Sequence, residues 1–163
     1  MKKRTQAGFT LVELIVVIVI LGILAAVALP KFMGLEREAR VAALKSMGGT
    51  MLSAANMAHG VCMAQNCANG GAGITVGNVA GVVFANGYPN NASIDLLMQS
   101  YEGFSTNGAG NRMTKLGAAT AACWVQYNQP AAPGAAPTIT YQAGQITTPA
   151  TETAVNAALR TQC

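Results

Sequence analysis

Charged side chains are scarce in this chain, although its formal net charge is +4. Asp, Glu, Lys and Arg make up 10% of its 163 residues and hydrophobic residues 52%, whereas an average soluble domain is about 25% charged. Three of the ten basic residues, Lys2, Lys3 and Arg4, stand directly before a long apolar run. The rest of the chain is nearly neutral, so the pI near 9.0 does not indicate a nucleic-acid-binding surface.

Histidine and paired acidic residues, on which much catalysis depends, are also rare. His59 is the only histidine, and neither acid/base pairs nor a nucleophilic serine or cysteine occur at the spacing of a catalytic motif. The glycine cluster GAGNR at 108–112 is isolated and predicts a loop rather than a phosphate-binding turn. We therefore expect no enzyme, no cofactor and no metal site, and we interpret as packing residues Met33, Met47, Met51 and Met57.

The four cysteines are Cys62, Cys67, Cys123 and Cys163. An even number in a small chain that is expected to leave the cytoplasm predicts disulfides, and four cysteines allow three pairings. The simplest pairing joins Cys62 to Cys67 and Cys123 to Cys163, because it links neighbours and ties down the last residue, but the sequence leaves the others open. By chain entropy the longer loop would contribute about 4 kcal/mol and the shorter one about 2 kcal/mol. Zinc is disfavoured because the spacings are not paired C-x-x-C motifs.

The segment GFTLVELIVVIVILGILAAVALPKF, from Gly8 to Phe32, contains one acidic residue in an otherwise apolar run. As a helix, Phe9 to Leu29 would span roughly 30 Å, the thickness of the hydrocarbon core of a bilayer. A cleavable secretory signal has a shorter apolar region of about 7 to 15 residues. A plain membrane anchor fits the length but leaves Glu13 unexplained, since a carboxylate in the bilayer core costs on the order of 2.5–3.5 kcal/mol.

The residues around Glu13 resemble the N-terminus of the type IV pilin and pseudopilin family. Precursors in that family have a short basic leader ending in glycine, a cleavage point before phenylalanine, and a glutamate at the fifth mature position. Gly8, Phe9 and Glu13 match these requirements in order, and the usual neighbours are matched by Thr10, Leu11, Val12 and Leu14. The resemblance implies that a prepilin peptidase removes residues 1–8 and that the new N-terminus is methylated.

The resemblance also implies roles in assembly for several residues. Cleavage would free an α-amino group on Phe9, and in a filament the amine of one subunit would meet Glu13 of its neighbour and set the axial register. The simpler interpretation is a Glu13 side chain that only reaches the lipid headgroups. Pro30 falls where the family commonly has a helix-kinking proline, and the stretch between Gly22 and Pro30 is expected to lose helical form when subunits pack.

The sequence predicts an α+β fold, which agrees with the type IV pilin fold of one long N-terminal helix packed on a small antiparallel sheet. We expect a leader at 1–8, a membrane-spanning and filament-core helix at 9–30, an amphipathic half of the helix at 31–60, and a globular head at 61–163. Within helix 9–58, apolar or small residues recur at intervals of three and four and predict a buried stripe: Val41, Leu44, Gly48, Met51, Ala55 and Ala58.

Short elements are expected in the head. The segment CMAQNCANGGAG predicts a loop, strands are expected at 74–76 and 79–85, and Asn86-Gly87 predicts a turn. The segment SIDLLMQSYEGF predicts a short helix with Ser93 as its N-cap. Two antiparallel strands, ACWVQYN and TITYQAG, are expected on either side of the proline-rich connection 129–137, followed by a strand at 145–147 and a helix at 151–159.

The function implied by the resemblance is structural. It is that of a type IVa major pilin, a homopolymer made in the bacterial inner membrane with the help of assembly machinery and exposed as an extracellular fibre for adhesion or twitching motility. The motif Gly87-Tyr88-Pro89 and the cysteine placement resemble mannose-sensitive haemagglutinin-type pilins most. The alternative is a pseudopilin of a type II secretion system. It is disfavoured because residues 143–163 contain one acidic residue, Glu152, which is too few for the calcium loop of major secretion pseudopilins.

Overall fold

The structure is a computed structural model that describes residues 9–67, 73–118, 123–141, 146–147 and 152–163. Its elements, in chain order, are α1 (Leu11–Ala64), β1 (Ile74–Val76), β2 (Val79–Val82), β3 (Phe84–Ala85), β4 (Tyr88–Pro89), a 3-10 turn (Asp95–Leu97), β5 (Phe104–Thr106), β6 (Arg112–Lys115), β7 (Trp124–Asn128), β8 (Thr138–Tyr141), β9 (Ile146–Thr147) and α2 (Glu152–Gln162). The chain divides into two compact units at Arg37 and Glu38. The predicted α+β arrangement is confirmed.

The helix α1 ends later than the sequence predicts. Residues Cys62–Ala64, expected in a loop, are its last turn. Helix termination falls on Asn66, whose φ of 55° places it in the left-handed region. The N–H groups of Asn66 and Cys67 then donate to the carbonyls of Met63 and Cys62 at 3.3 and 3.0 Å, which is a Schellman motif. The Cys62–Cys67 disulfide joins the two positions that usually make the apolar contact of this motif, so the cross-link supports the extra turn.

The predicted stripe of α1 is confirmed as the face that the globular unit buries. Val41, Leu44, Met51, Ala55 and Ala58 are all buried. Gly48 lies so close to the sheet that an added Cβ would come within 2.5 Å of Tyr141 Oη and 3.1 Å of Ile139 Cγ2. The absence of a side chain at Gly48 therefore allows α1 and β8 to pack closely.

The main sheet has five antiparallel strands in the order β5-β6-β7-β8-β9. The pair β7 and β8 agrees with the prediction, and Tyr127 stands opposite Ile139 in its register. The strands β5 and β6 were not predicted, because their residues FST and RMTK are short and mostly polar. The predicted GAGNR loop joins them, and Asn107 stabilises it by accepting from the Arg112 N–H at 3.0 Å. The strand β9 and the helix α2 confirm the strand and the helix that the sequence predicts near the end of the chain.

Two hairpins precede the main sheet, β1 with β2 and β3 with β4. The second hairpin turns at Asn86 and Gly87, whose φ values of 55° and 83° fit a type I′ turn. The expected strand 79–85 is divided at Val83, whose N–H donates to Ser93 Oγ at 3.1 Å. Ser93 is therefore not a helix N-cap, and the predicted helix after it is wrong: only the 3-10 turn Asp95–Leu97 forms, without a side-chain cap.

Candidate functional site: the N-terminal helix

The first part of α1 has an apolar surface that no other described part of the chain covers. Among the described large apolar side chains between Phe9 and Leu35, exposure ranges from 46% at Ile15 to 94% at Phe9. The most apolar 18-residue stretch of α1 has a mean hydropathy of 3.1, and none of it is buried. By length and composition α1 is long and apolar enough to cross a membrane. An apolar surface of this size marks contact with lipid or with other protein.

The start of this helix is fixed by a reciprocal pair of side chains, Thr10 and Glu13. The Thr10 N–H and the Thr10 hydroxyl both donate to Glu13 Oε2, each at 2.8 Å. In return the Glu13 N–H donates to Thr10 Oγ1 at 3.3 Å. This is a capping box, which satisfies backbone donors that would otherwise lack partners at a helix N-terminus.

The capping box was missed by the sequence analysis, although T-x-x-E directly before an apolar run is a known sign of a helix start. It explains locally why a carboxylate is tolerated at Glu13. It engages only one carboxylate oxygen, because within the described residues Glu13 Oε1 accepts no hydrogen bond. The site can therefore hold the helix start and still accept a hydrogen bond from another group.

The structure describes three of the four other site residues predicted in the N-terminal part. Phe9 lies just before the capping box, whereas Gly8 lies outside the described residues. Gly22 and Pro30 are both inside an uninterrupted helix. A Cβ added at Gly22 would meet nothing within 4 Å, so packing within the chain does not require glycine there.

The predicted disulfide residues lie in the globular unit, away from the capping box in sequence. Cys62 pairs with Cys67, and Cys123 pairs with Cys163, with Cα–Cα distances of 4.9 and 5.0 Å. The second bond holds the end of α2, which also makes an ion pair from Arg160 Nε to Glu38 Oε1 at 2.8 Å. These bonds stabilise the fold of the unit and show no chemistry of their own.

The remaining candidate side chains have structural surroundings. His59 stacks on Tyr88 with ring centroids 4.1 Å apart, and its Nδ1 lies 2.7 Å from the Gly87 carbonyl, to which it donates. Among the described residues no three His, Cys, Asp or Glu side chains are grouped as metal ligands. Met47 and Met51 are core residues, but Met57 is 69% exposed, so the packing interpretation is wrong for Met57.

Comparison with known proteins agrees with the motif and extends beyond it. The family described as "Prokaryotic N-terminal methylation motif" matches residues 3–29. Fimbrial protein EcpC of Eikenella corrodens is 34% identical over 103 residues, which are 61% of this chain and 67% of that protein. A fimbrial protein of Moraxella nonliquefaciens is 32% identical over 114 residues, 68% of this chain and 73% of that one. The chain belongs to the type IV pilin family.

The chain also resembles a secretion protein, over a shorter stretch. Type II secretion system core protein G of Pseudomonas aeruginosa is 51% identical over 45 residues, 28% of this chain, and the match spans about a third (32%) of that protein. No solved structure matches the chain significantly. The relatives are structural subunits, so the family is one of structural proteins rather than enzymes.

Proposed function

We propose that this pilin is the major structural subunit of a type IVa pilus, held in the bacterial inner membrane before assembly and exposed in an extracellular fibre for adhesion or motility. The observation that carries this proposal is the apolar surface from Phe9 to Leu35, which none of the residues that the structure describes covers. Such a surface is stable in a bilayer and, after assembly, in a bundle of like helices. The matches to fimbrial proteins extend over 103 and 114 residues, so the support for a pilus subunit does not rest on a resemblance of the helix alone.

The subunit is made as a precursor. A prepilin peptidase removes residues 1–8 by cutting between Gly8 and Phe9, and the freed Phe9 amine is methylated. The methylation motif match over residues 3–29 spans this point and supports the proposal. The capping box supports it too, because helix α1 is already fixed at Thr10, directly after the proposed new N-terminus.

Glu13 acts at two levels. Its Oε2 keeps the helix start in order within the subunit, while Oε1 accepts from the Phe9 amine of a neighbouring subunit. A charged pair inside an apolar helix bundle is unfavourable unless both partners meet, so only one axial offset between neighbours is favoured. The charged pair therefore sets the axial register between neighbouring subunits, and the apolar surface provides their affinity.

The stretch from Gly22 to Pro30 is helical in the single subunit and opens when subunits pack. Two features support this: Gly22 costs about 1 kcal/mol relative to alanine, and Pro30 removes a helical hydrogen bond. A density map of the fibre tests the proposal. We expect non-helical backbone between these residues, and continuous helix through Ala26 would contradict it.

The second candidate function is that of a pseudopilin in a type II secretion system. The observation that favours it is the 51% identity to core protein G over 45 residues. Electron microscopy of sheared cell-surface fibres, with deletion of the gene for this chain, separates the two. We expect long fibres that contain the chain and disappear on deletion, with protein secretion intact. Normal fibres together with a secretion defect would overturn the pilus assignment.

A further inference from the structure

The main sheet has a polar side opposite its core side. The core side carries Met113, Val125, Tyr127 and Ile139. Successive residues of a strand point to opposite sides of a sheet, so the residues between them share the other side. We call this side the Arg112 face, and its central residues are Arg112, Thr114, Trp124, Gln126, Asn128 and Thr140.

The guanidinium group of Arg112 has no acidic partner. Its Cζ lies 5.2 Å from the ring centroid of Trp124, whose side chain is 8% exposed. The Arg112 Nε is buried and donates to no described residue, and its terminal nitrogens form neither a hydrogen bond nor an ion pair with one. A half-buried charge without a partner is unfavourable, so this arrangement favours a bound anion.

Arg112 is nevertheless held in a fixed position. Its N–H donates to Asn107 Oδ1 at 3.0 Å, and its carbonyl accepts the Asn107 N–H at 3.1 Å. The next cation of the strand, Lys115, differs, because its Nζ donates to the Gly103 carbonyl at 2.9 Å and lies over the Phe104 ring. Of the two cations in β6, Arg112 therefore keeps its charged end available for a ligand.

The geometry of this guanidinium favours a carboxylate. Since the Arg112 Nε is buried, a ligand reaches the two terminal nitrogens, which form a planar fork. The two oxygens of a carboxylate match such a fork and carry one negative charge in total, as the single cation requires. A phosphate monoester carries up to two charges and would leave one uncompensated here.

The neighbours of Arg112 offer amide and hydroxyl groups. Gln126 stands opposite Arg112, and Thr140 stands opposite Gln126. Asn128 links the two, because it accepts from Gln126 Nε2 at 3.0 Å and donates to Thr140 Oγ1 at 2.7 Å. The Gln126 Oε1 accepts from no described residue, so it is available to a hydroxyl donor. This row therefore suits a ligand that is rich in hydroxyl groups.

We propose that the Arg112 face binds an acidic saccharide. Its carboxylate pairs with the terminal nitrogens of Arg112, and its hydroxyls bond to Gln126 and Thr140. A protein partner would need an apolar centre of contact, and the residues named for this face include a single apolar ring, which Arg112 covers. This binding activity goes beyond the proposed structural role and does not depend on it, because all its residues lie in the globular unit of one subunit.

Fluorescence titration of the full chain in detergent tests the site. Trp124 is the only tryptophan and contacts Arg112, so it reports a ligand bound there. The probe is trigalacturonate, and its control is the methyl ester of the same trisaccharide, which has the hydroxyls without the charge. We expect a saturable fluorescence change with the acid and none with the ester. No saturable change with the acid, or an equal change with the ester, would overturn the proposal.

Three variants assign the binding to Arg112. Arg112→Gln should abolish the saturable change, and Arg112→Lys should weaken binding at least tenfold, because lysine keeps the charge but lacks the planar fork. The matched control is Arg37→Gln, which removes the same charge from an exposed position of α1 and should bind as the wild type does. Equal losses in Arg112→Gln and Arg37→Gln would overturn the site. If Arg112→Gln does not fold, the comparison of acid and ester on the wild type decides.

A second carboxylate source checks the class of ligand. Polyglutamate has carboxylates but no hydroxyls, and we expect it to bind at least tenfold more weakly than trigalacturonate. Equal binding would overturn the saccharide assignment in favour of an acidic protein segment. These titrations use single subunits, so their failure leaves the proposed fibre intact, and an absence of fibres would leave a saccharide site in place.

Discussion

The apolar side chains of residues 9–37 and those of residues 38–163 differ in exposure to solvent, although α1 contributes to both regions. Up to Leu35 the described large apolar side chains face outward, whereas from Val41 onward a stripe of α1 is buried. Between Leu14 and Leu29 the helix is apolar on every side, whereas the part of α1 from Val41 onward is apolar on one side only. The difference shows that the first part requires an apolar environment outside the chain, whereas the second carries its own core.

The interactions that stabilise each of the two regions internally also differ. The globular unit has a five-stranded sheet, two disulfides and a core that includes Tyr127 and Leu159. The described part of the first region has the hydrogen bonds of α1 and the capping box. Substitutions in the first region should therefore change assembly, and substitutions in the second should change the free energy of unfolding.

The largest effect is expected at Glu13. Glu13→Ala removes both the cap and the charge, so processed, membrane-inserted subunits should accumulate while fibre yield falls nearly to zero. Glu13→Gln is the matched control, because glutamine keeps a capping box but carries no charge. Fibre yield should fall as far in Glu13→Gln as in Glu13→Ala. Wild-type yield with Glu13→Gln would show that capping is the only role of this residue.

The next effect is expected at the Cys123–Cys163 disulfide. Replacing both residues by serine should lower the free energy of unfolding by about 4 kcal/mol, and replacing Cys62 and Cys67 by about 2 kcal/mol, because the first bond closes a longer loop. Trp124, the only tryptophan, is buried in the globular unit and reports unfolding by fluorescence during denaturant titration in detergent. A larger loss from the Cys62–Cys67 pair would contradict this order.

A smaller effect is expected at the paired glycines of α1. Gly48→Ala places a methyl group against Tyr141, and overpacking of this kind costs about 1–3 kcal/mol. Gly49→Ala is the control, since its Cβ would meet nothing within 4 Å and the helix gains up to about 1 kcal/mol. The same fluorescence titration should give opposite signs for the two variants. Equal signs would show that α1 and β8 are not in close contact.

The smallest effect is a pH dependence of the globular unit. Burial raises the pKa of the Tyr127 hydroxyl, with a further contribution from Tyr88, and burial also raises the pKa of Tyr141. The stabilisation is fully present below the unfolded pKa of about 10 and is lost as the pH rises through the folded values. The denaturant midpoint should be constant from about pH 7 to 9 and fall above about pH 10. Tyr141→Phe should weaken that fall, whereas the same change at the more exposed Tyr101 should not.

How much the sequence predicts also differs between the two regions. The apolar run, the buried stripe with Gly48 and the Asn86-Gly87 turn are each determined by a few neighbouring residues, and local patterns predict them. The strands β5 and β6 depend on pairing with β7, because FST and RMTK have little strand signal of their own. The last turn of α1 ends in a Schellman motif whose ends the Cys62–Cys67 disulfide joins, and Ser93 bonds to Val83 rather than to a helix end. At the candidate site the sequence indicated Glu13 and, in the pattern T-x-x-E before an apolar run, also contained the signal for its bond to Thr10.

The most direct test of the central claim is the mass of the N-terminal peptide of subunits in sheared surface fibres. We expect the peptide to begin at Phe9, to lack residues 1–8 and to carry one added methyl group on its amine. Fibres whose subunits retain Met1 to Gly8, or cell-surface fibres without this chain, would contradict it.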